Sequence, residues 1–125
     1  MMGLLLDTHI VLWWLADDAT LDPAVKSRLD VEAEVFVSSA TVWEVGIKQA
    51  LGKLAGDQDL AERVRDSGFA VLPITADDAI AAAKLPLHHR DPFDRMLIAQ
   101  AAGERLTVMT RDRQFAAYGV PIEFV

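Results

Sequence analysis

The stretch Leu4-Leu5-Leu6-Asp7-Thr8-His9-Ile10-Val11-Leu12-Trp13 (LLLDTHIVLW) decides the architecture. Three leucines ending at an aspartate suit a short strand, and His9 to Leu15 continues as a helix that is apolar almost all round. A strand apolar on both faces needs cover on both, which implies helices above and below a parallel sheet. The rest of the chain repeats this alternation. Asp22-Pro23 pairs a cap with a proline at the first helical position, opening a helix that ends near Leu29. Glu34 to Ser38 reads as a second strand, and Thr41 to Leu51 as a helix stopped by Gly52. Asp57 or Asp59 opens a helix to Asp66, and Gly68 precedes the strand Phe69 to Ile74. Ala76 to Leu85 is helical up to Pro86, and Asp91-Pro92 starts a helix running to Gly103. Leu106 to Met109 is the fourth strand, and Pro121 to Phe124 a short fifth at the sheet edge. The expected fold class is α/β: a three-layer α/β/α sandwich with a central parallel sheet of four to five strands. A chain of 125 residues fits one such domain, residues 1–125.

Composition narrows the function classes. Hydrophobic residues make up 52% of the chain, too many for disorder. The longest apolar run, Ile10 to Ala16, falls far short of the roughly 20 residues that span a bilayer. Cysteine is absent, which excludes disulfide scaffolds and thiolate zinc sites. No basic segment with a small-residue cleavage pattern occurs, so a cytoplasmic location is the expectation. The net charge of −7 has the wrong sign for an ordinary nucleic-acid binder.

In open parallel sheets, ligands gather beyond the carboxyl ends of the strands. Asp7 follows the first strand directly, and Asp112 lies three residues beyond Met109. Glu44 and Asp94 lie in the first turns of helices, the former after the second strand and the latter just after Pro92. All four acids should therefore face one edge of the molecule. Converging carboxylates without cationic partners repel strongly, and a hard divalent cation such as Mg²⁺ or Mn²⁺ resolves the conflict. Such a centre suits a phosphate substrate. Each acid also has a plainer role open to it. Thr41-x-x-Glu44 and Asp91-x-x-Asp94 fit the logic of helix capping, and Asp7 and Asp112 each stand where a helix cap is expected.

Four blocks, LLLDTHIVLW, SSATVWEVGIK, RDPFDRMLIAQA and TRDRQF, together resemble the PIN-domain ribonucleases, and most closely the VapC-type toxins of bacterial toxin–antitoxin pairs. The resemblance spans the chain from Leu4 to the final strand, with all four blocks in order. It implies the PIN-like α/β/α sandwich, one or two Mg²⁺ or Mn²⁺ ions, and endonucleolytic cleavage of RNA to a 5′-phosphate and a 3′-hydroxyl. It assigns Asp7, Glu44, Asp94 and Asp112 as catalytic metal ligands, with Thr110 and Thr8 as supporting residues. Asp94 rather than Asp91 heads the D-x-x-x-I-A-x-A element, and Asp91, before Pro92, is better used as the cap. The implied partners are RNA, a cognate VapB-like antitoxin and a second copy of the chain.

Residues 84–125 hold six bases and five acids, whereas residues 1–83 hold six bases and fourteen acids. Arg90, Arg95, Arg111 and Arg113 flank Asp94 and Asp112 and are candidate phosphate-binding residues. Their plainer roles are ion pairs or solvent exposure. His88-His89 reads as a loop pair without a catalytic role, since adjacent side chains point apart. Lys48 stands one turn after Glu44, the favourable order for a helical ion pair. Trp13 and Trp14 cannot both face one sheet surface, so one is expected in the core and the other at its periphery or an interface.

Rival classes lack their own marks. A receiver domain needs an acid pair after the first strand, where Asp7 stands alone. A haloacid-dehalogenase-like phosphatase needs an aspartate where His9 stands, and a dinucleotide-binding fold needs glycines that D-T-H-I-V does not supply. An acidic protein-binding module stays open on sequence alone.

Overall fold

A computed structural model describes residues 3–54 and 59–125. The elements run β1 (Leu4–Leu6), α1 (Thr8–Leu15), α2 (Pro23–Val31), β2 (Val35–Ser38), α3 (Ser39–Ala50) and α4 (Leu60–Asp66). They continue with β3 (Ala70–Leu72), α5 (Ala76–Lys84), α6 (Pro92–Glu104), β4 (Thr107–Thr110), a 3-10 helix (Arg113–Tyr118) and β5 (Ile122–Phe124). All five strands are parallel, in the order β3-β2-β1-β4-β5, so the expected sandwich is present. The chain steps outward from β1 to β3, then returns to the other side of β1 for β4. The order reverses beside β1, which puts the switch point next to Asp7 and Asp112.

The leucine triplet divides between two cores. Leu4 and Leu6 pack with Val35, Val37 and Met109 against α1, α2, α3 and α4 on one face. Leu5 and Val108 pack against Leu97, Ile98 and Ala101 of α6, with Leu106 and Phe115, on the other. Side chains alternate across a strand, so three consecutive leucines serve both layers. Among the described residues, no helix is long and apolar enough to cross a membrane.

Several boundaries differ from the sequence expectation for local reasons. Helix α3 begins at Ser39, because Ser38 at the end of β2 caps it by accepting from the Ala40 N–H at 2.9 Å. Thr41 therefore lies inside the helix. Strand β3 stops at Leu72. There the buried Gln100 side chain donates to the Pro73 carbonyl at 3.2 Å, and its Oε1 accepts from Ser38 at 2.5 Å. Helix α6 passes through Gly103 and ends on Arg105 in the left-handed region, with Leu106 N–H closing onto the Ala101 carbonyl at 2.9 Å. Asp59 caps α4, and the alternative start at Asp57 lies outside the described residues.

Trp13 and Trp14 are both partly buried against the first core, with Trp14 on the Phe69 ring at 4.7 Å. Phe115 anchors the 3-10 helix to the second core and is fully buried. Phe115→Ala should destabilise the protein by about 3–5 kcal/mol, read from urea unfolding midpoints.

Candidate metal centre

Asp7 ends β1 and caps α1, and both carboxylate oxygens are engaged. Its Oδ1 accepts from the Thr8 N–H at 2.7 Å and its Oδ2 from the Thr110 hydroxyl at 2.8 Å. The backbone N–H of Asp7 donates to the Met109 carbonyl at 3.0 Å, which ties the residue to β4. Only 5% of Asp7 is exposed, and that burial pushes its carboxyl above the usual range, against the two hydrogen bonds.

Glu44 reaches the same place from the second turn of α3. Its Oε1 accepts from the Thr8 hydroxyl at 2.8 Å, and Lys48 Nζ lies 3.0 Å from Oε2. Buried Thr41 faces the same spot, its Oγ1 3.2 Å from that of Thr8. The capping role for Glu44 is thus overturned, because the helix starts two residues before Thr41 and Glu44 points to Thr8 instead.

Asp94 comes from the first turn of α6, and Asp112 from the residue that caps the 3-10 helix. Asp91 caps α6 as expected, accepting from the N–H groups of Phe93 at 2.8 Å and Asp94 at 3.3 Å. That leaves the Asp94 carboxyl free of capping. Asp112 Oδ1 accepts from Gln114 N–H at 2.9 Å, while its own N–H donates to Thr110 Oγ1 at 3.0 Å. One hydroxyl, Thr110, therefore fixes Asp7 and Asp112 together.

The four acids line one cleft of about 450 Å³, with Thr8, Lys48, Asp91 and Arg111. Asp94 feels the crowding most. Burial first, then the charges of Asp7, Asp91, Glu44 and Asp112, push its carboxyl up to about 8. At neutral pH it cannot ionise freely without a counter-charge. Hard oxygen donors with a charge deficit of this kind fit Mg²⁺ or Mn²⁺.

His89 is the residue that sequence reasoning missed. His88 and His89 do point apart, and His88 packs edge-on to Tyr118 with ring centroids 5.2 Å apart. His89, however, enters the acid cluster. Its Nε2 lies 2.8 Å from Asp94 Oδ2 and 3.1 Å from Asp112 Oδ2. It stands two residues before the cap Asp91, and its Nδ1 accepts the Asp91 N–H at 3.2 Å.

The arginines divide. Arg95 is only 9% exposed and does not face the cleft. Its guanidinium donates to the carbonyls of Ala82 and Leu85 at 2.8 Å, Pro86 at 2.9 Å and His89 at 3.2 Å. The phosphate-binding expectation for Arg95 is corrected: it satisfies the orphan carbonyls at the end of α5. Arg113 lies over the Phe124 ring at 4.3 Å and does not line the cleft. Arg90 is exposed in the loop before α6. Arg111 does line the cleft, stacked 4.7 Å over Trp13 and donating to the carbonyls of Val125 at 2.8 Å and Thr20 at 3.0 Å.

Comparison with known proteins agrees with this arrangement of fold. The family described as PIN domain matches residues 4–121. Ribonuclease VapC22 of Mycobacterium tuberculosis (strain ATCC 25618 / H37Rv) is 30% identical over 129 residues, covering 97% of this chain and 95% of that protein. The structure of VapBC2 from Rickettsia felis, bound to a DNA fragment from their promoter, matches with a TM-score of 0.74 at 14% identity over 98% of both chains. DNA-bound VapBC from Salmonella typhimurium matches with a TM-score of 0.74 at 21% identity, over 99% of this chain and 98% of that one. The two solved structures share the fold.

Arg95→Ala should cost about 2–4 kcal/mol in urea denaturation, since it strands several carbonyls. In the folded, metal-free protein Asp94 keeps its proton up to about 8, whereas the unfolded chain releases it near 3.8. The folded state binds the extra proton in that window, so stability falls as pH rises through it. Asp94→Asn holds a neutral group there at every pH. In EDTA its melting temperature should therefore gain on the wild type between roughly pH 5 and pH 8.

Proposed function

This chain belongs to the PIN-domain family, and we propose on that footing that it is a metal-dependent endoribonuclease, a VapC-type toxin neutralised by a cognate antitoxin. The observation that carries this reading is the convergence of Asp7, Glu44, Asp94 and Asp112 on one cleft, with the Asp94 carboxyl pushed up to about 8 by burial and then by its acidic neighbours. Asp7 and Asp94 would hold Mg²⁺ or Mn²⁺, with Glu44 and Asp112 as further direct or water-mediated ligands. When bound, the ion supplies charge stabilisation to the phosphate and makes a bound water more acidic.

The chain's own residues prepare the site. Thr110 and the Thr8 N–H fix both oxygens of Asp7. The Thr8 hydroxyl and Lys48 orient Glu44 from opposite sides. Asp94 must release its proton for the full set of charges to act together. Arg111, at the rim, is the arginine with access to a phosphate in the cleft.

An apolar groove of about 460 Å³ adjoins the acid cleft, lined by Leu12, Leu15, Val45, Leu54 and Leu60. Trp13 lines both. This continuity supports an antitoxin segment whose apolar side chains fill the groove while a basic one enters the acids, excluding metal or RNA. Self-association into a homodimer belongs to the same proposal.

RNA incubated with the purified chain should be cut in Mg²⁺ or Mn²⁺ and left intact in EDTA. Asp7→Asn and Asp94→Asn should reduce cleavage to background while circular dichroism stays that of the wild type. An Asp94→Asn variant cutting RNA at the wild-type rate would overturn the assignment.

A further inference from the structure

His89 has no part in the chemistry above, yet its ring stands between two of the four acids and is held from several sides. Its backbone N–H donates to the Tyr118 hydroxyl at 2.6 Å, and that hydroxyl donates to the Pro86 carbonyl at 2.8 Å. The His89 carbonyl accepts from Arg95 at 3.2 Å. The ring lies edge-on to buried Phe115, centroids 5.9 Å apart, and the side chain is 10% exposed.

Ligand atoms of His89, Asp94 and Asp112 lie within 4.8 Å of one another, which by distance alone fits a metal triad. The hydrogen bonds argue otherwise. Nδ1 accepts the Asp91 N–H, so its lone pair is occupied and it carries no proton. A neutral imidazole has one N–H, which must then be on Nε2. A protonated Nε2 has no lone pair for a cation. It is a donor, hydrogen-bonded to Asp112 Oδ2 at 3.1 Å, while Asp94 Oδ2, on α6, lies 2.8 Å from the same nitrogen.

We propose that His89 is a positioning residue: its Nε2–H, hydrogen-bonded to Asp112 and in contact with Asp94, keeps the two carboxyl groups side by side, and it is not itself a metal ligand. This rests on the metal-centre reading and adds a specificity to it. With the His89 nitrogen engaged as a donor, the corner between Asp94 and Asp112 offers an ion only oxygen. That favours Mg²⁺ and Mn²⁺ over zinc, which takes imidazole readily.

The test joins spectroscopy on the wild type to affinity in variants. With ¹⁵N-labelled histidine, NMR should show His89 as the Nε2–H tautomer in the metal-free protein and still as that tautomer with Mg²⁺. Electron spin-echo spectra of the Mn²⁺-loaded protein should show no directly coordinated nitrogen. Mn²⁺ affinity, read from free-ion EPR, should fall roughly ten- to a hundredfold in His89→Ala. His89→Gln keeps an N–H donor and should recover most of that affinity. An unprotonated Nε2, a coordinated nitrogen, or wild-type affinity in a folded His89→Ala protein would each overturn the positioning role alone. Wild-type protein that binds no Mn²⁺ would instead overturn the metal reading, and this role with it. The two wild-type spectra decide the matter where the alanine variant does not fold.

Discussion

Mutual repulsion among four carboxylates at the end of a buried strand is the constraint around which this fold is arranged. Each acid lies within a helix or directly caps one. Asp7 is pinned by a sheet hydrogen bond to Met109, by the first N–H of α1 and by the Thr110 hydroxyl. Asp94 sits in the first turn of α6, and Asp112 caps the 3-10 helix. Capping and site formation are thus not alternatives for Asp7 and Asp112. The N–H groups that fix each carboxylate leave lone pairs facing the cleft.

What keeps the acids together is a layer of polar contacts behind them. Thr8 and Thr110 follow and end the two neighbouring central strands, β1 and β4, so the parallel register sets the spacing of their hydroxyls. On the far side, Arg95 and Tyr118 gather the carbonyls of the loop leading from α5 and fix its conformation. That loop carries His89 to the site. A buried guanidinium with five carbonyl partners offsets its desolvation through hydrogen bonds, which explains why a charge is tolerated there.

Much of the fold was legible because the signals were local. The leucine triplet, the Asp22-Pro23 and Asp91-Pro92 starts, and the apolar LTVM run all report short-range preferences that tertiary contacts did not override. The acids were legible for a related reason: a parallel sheet puts every strand's carboxyl end at one edge. The misread features depend on contacts between distant residues. Thr41 and Glu44 fit a capping box by spacing, but Ser38 had already capped α3, and Thr8, far away in sequence, claimed Glu44. Arg95 neighbours Asp94 in sequence, yet adjacent helical residues point about 100° apart, so one faces the cleft and the other the end of α5. His89 required knowing where the loop after α5 is tied down, which no spacing rule supplies.

The distribution of charge takes on a different meaning with the arginines placed. The near-neutral balance of residues 84–125 suggested a basic rim around the acids. In the structure, Arg95 serves α5, Arg113 lies on Phe124, and Arg111 is anchored by two carbonyls while lining the cleft. Lys48, the other base at the cleft, is paired with Glu44. The cleft therefore meets a polyanion with a dense group of carboxylates and two bases that are already engaged, Lys48 and Arg111. Under the ribonuclease reading, attraction for a phosphate must come mainly from the ion rather than from side chains. The same arithmetic favours a cationic inhibitor segment, for which the acids need no metal at all. Metal and antitoxin would then compete for one set of charges, so that occupancy of the acids sets whether RNA binds.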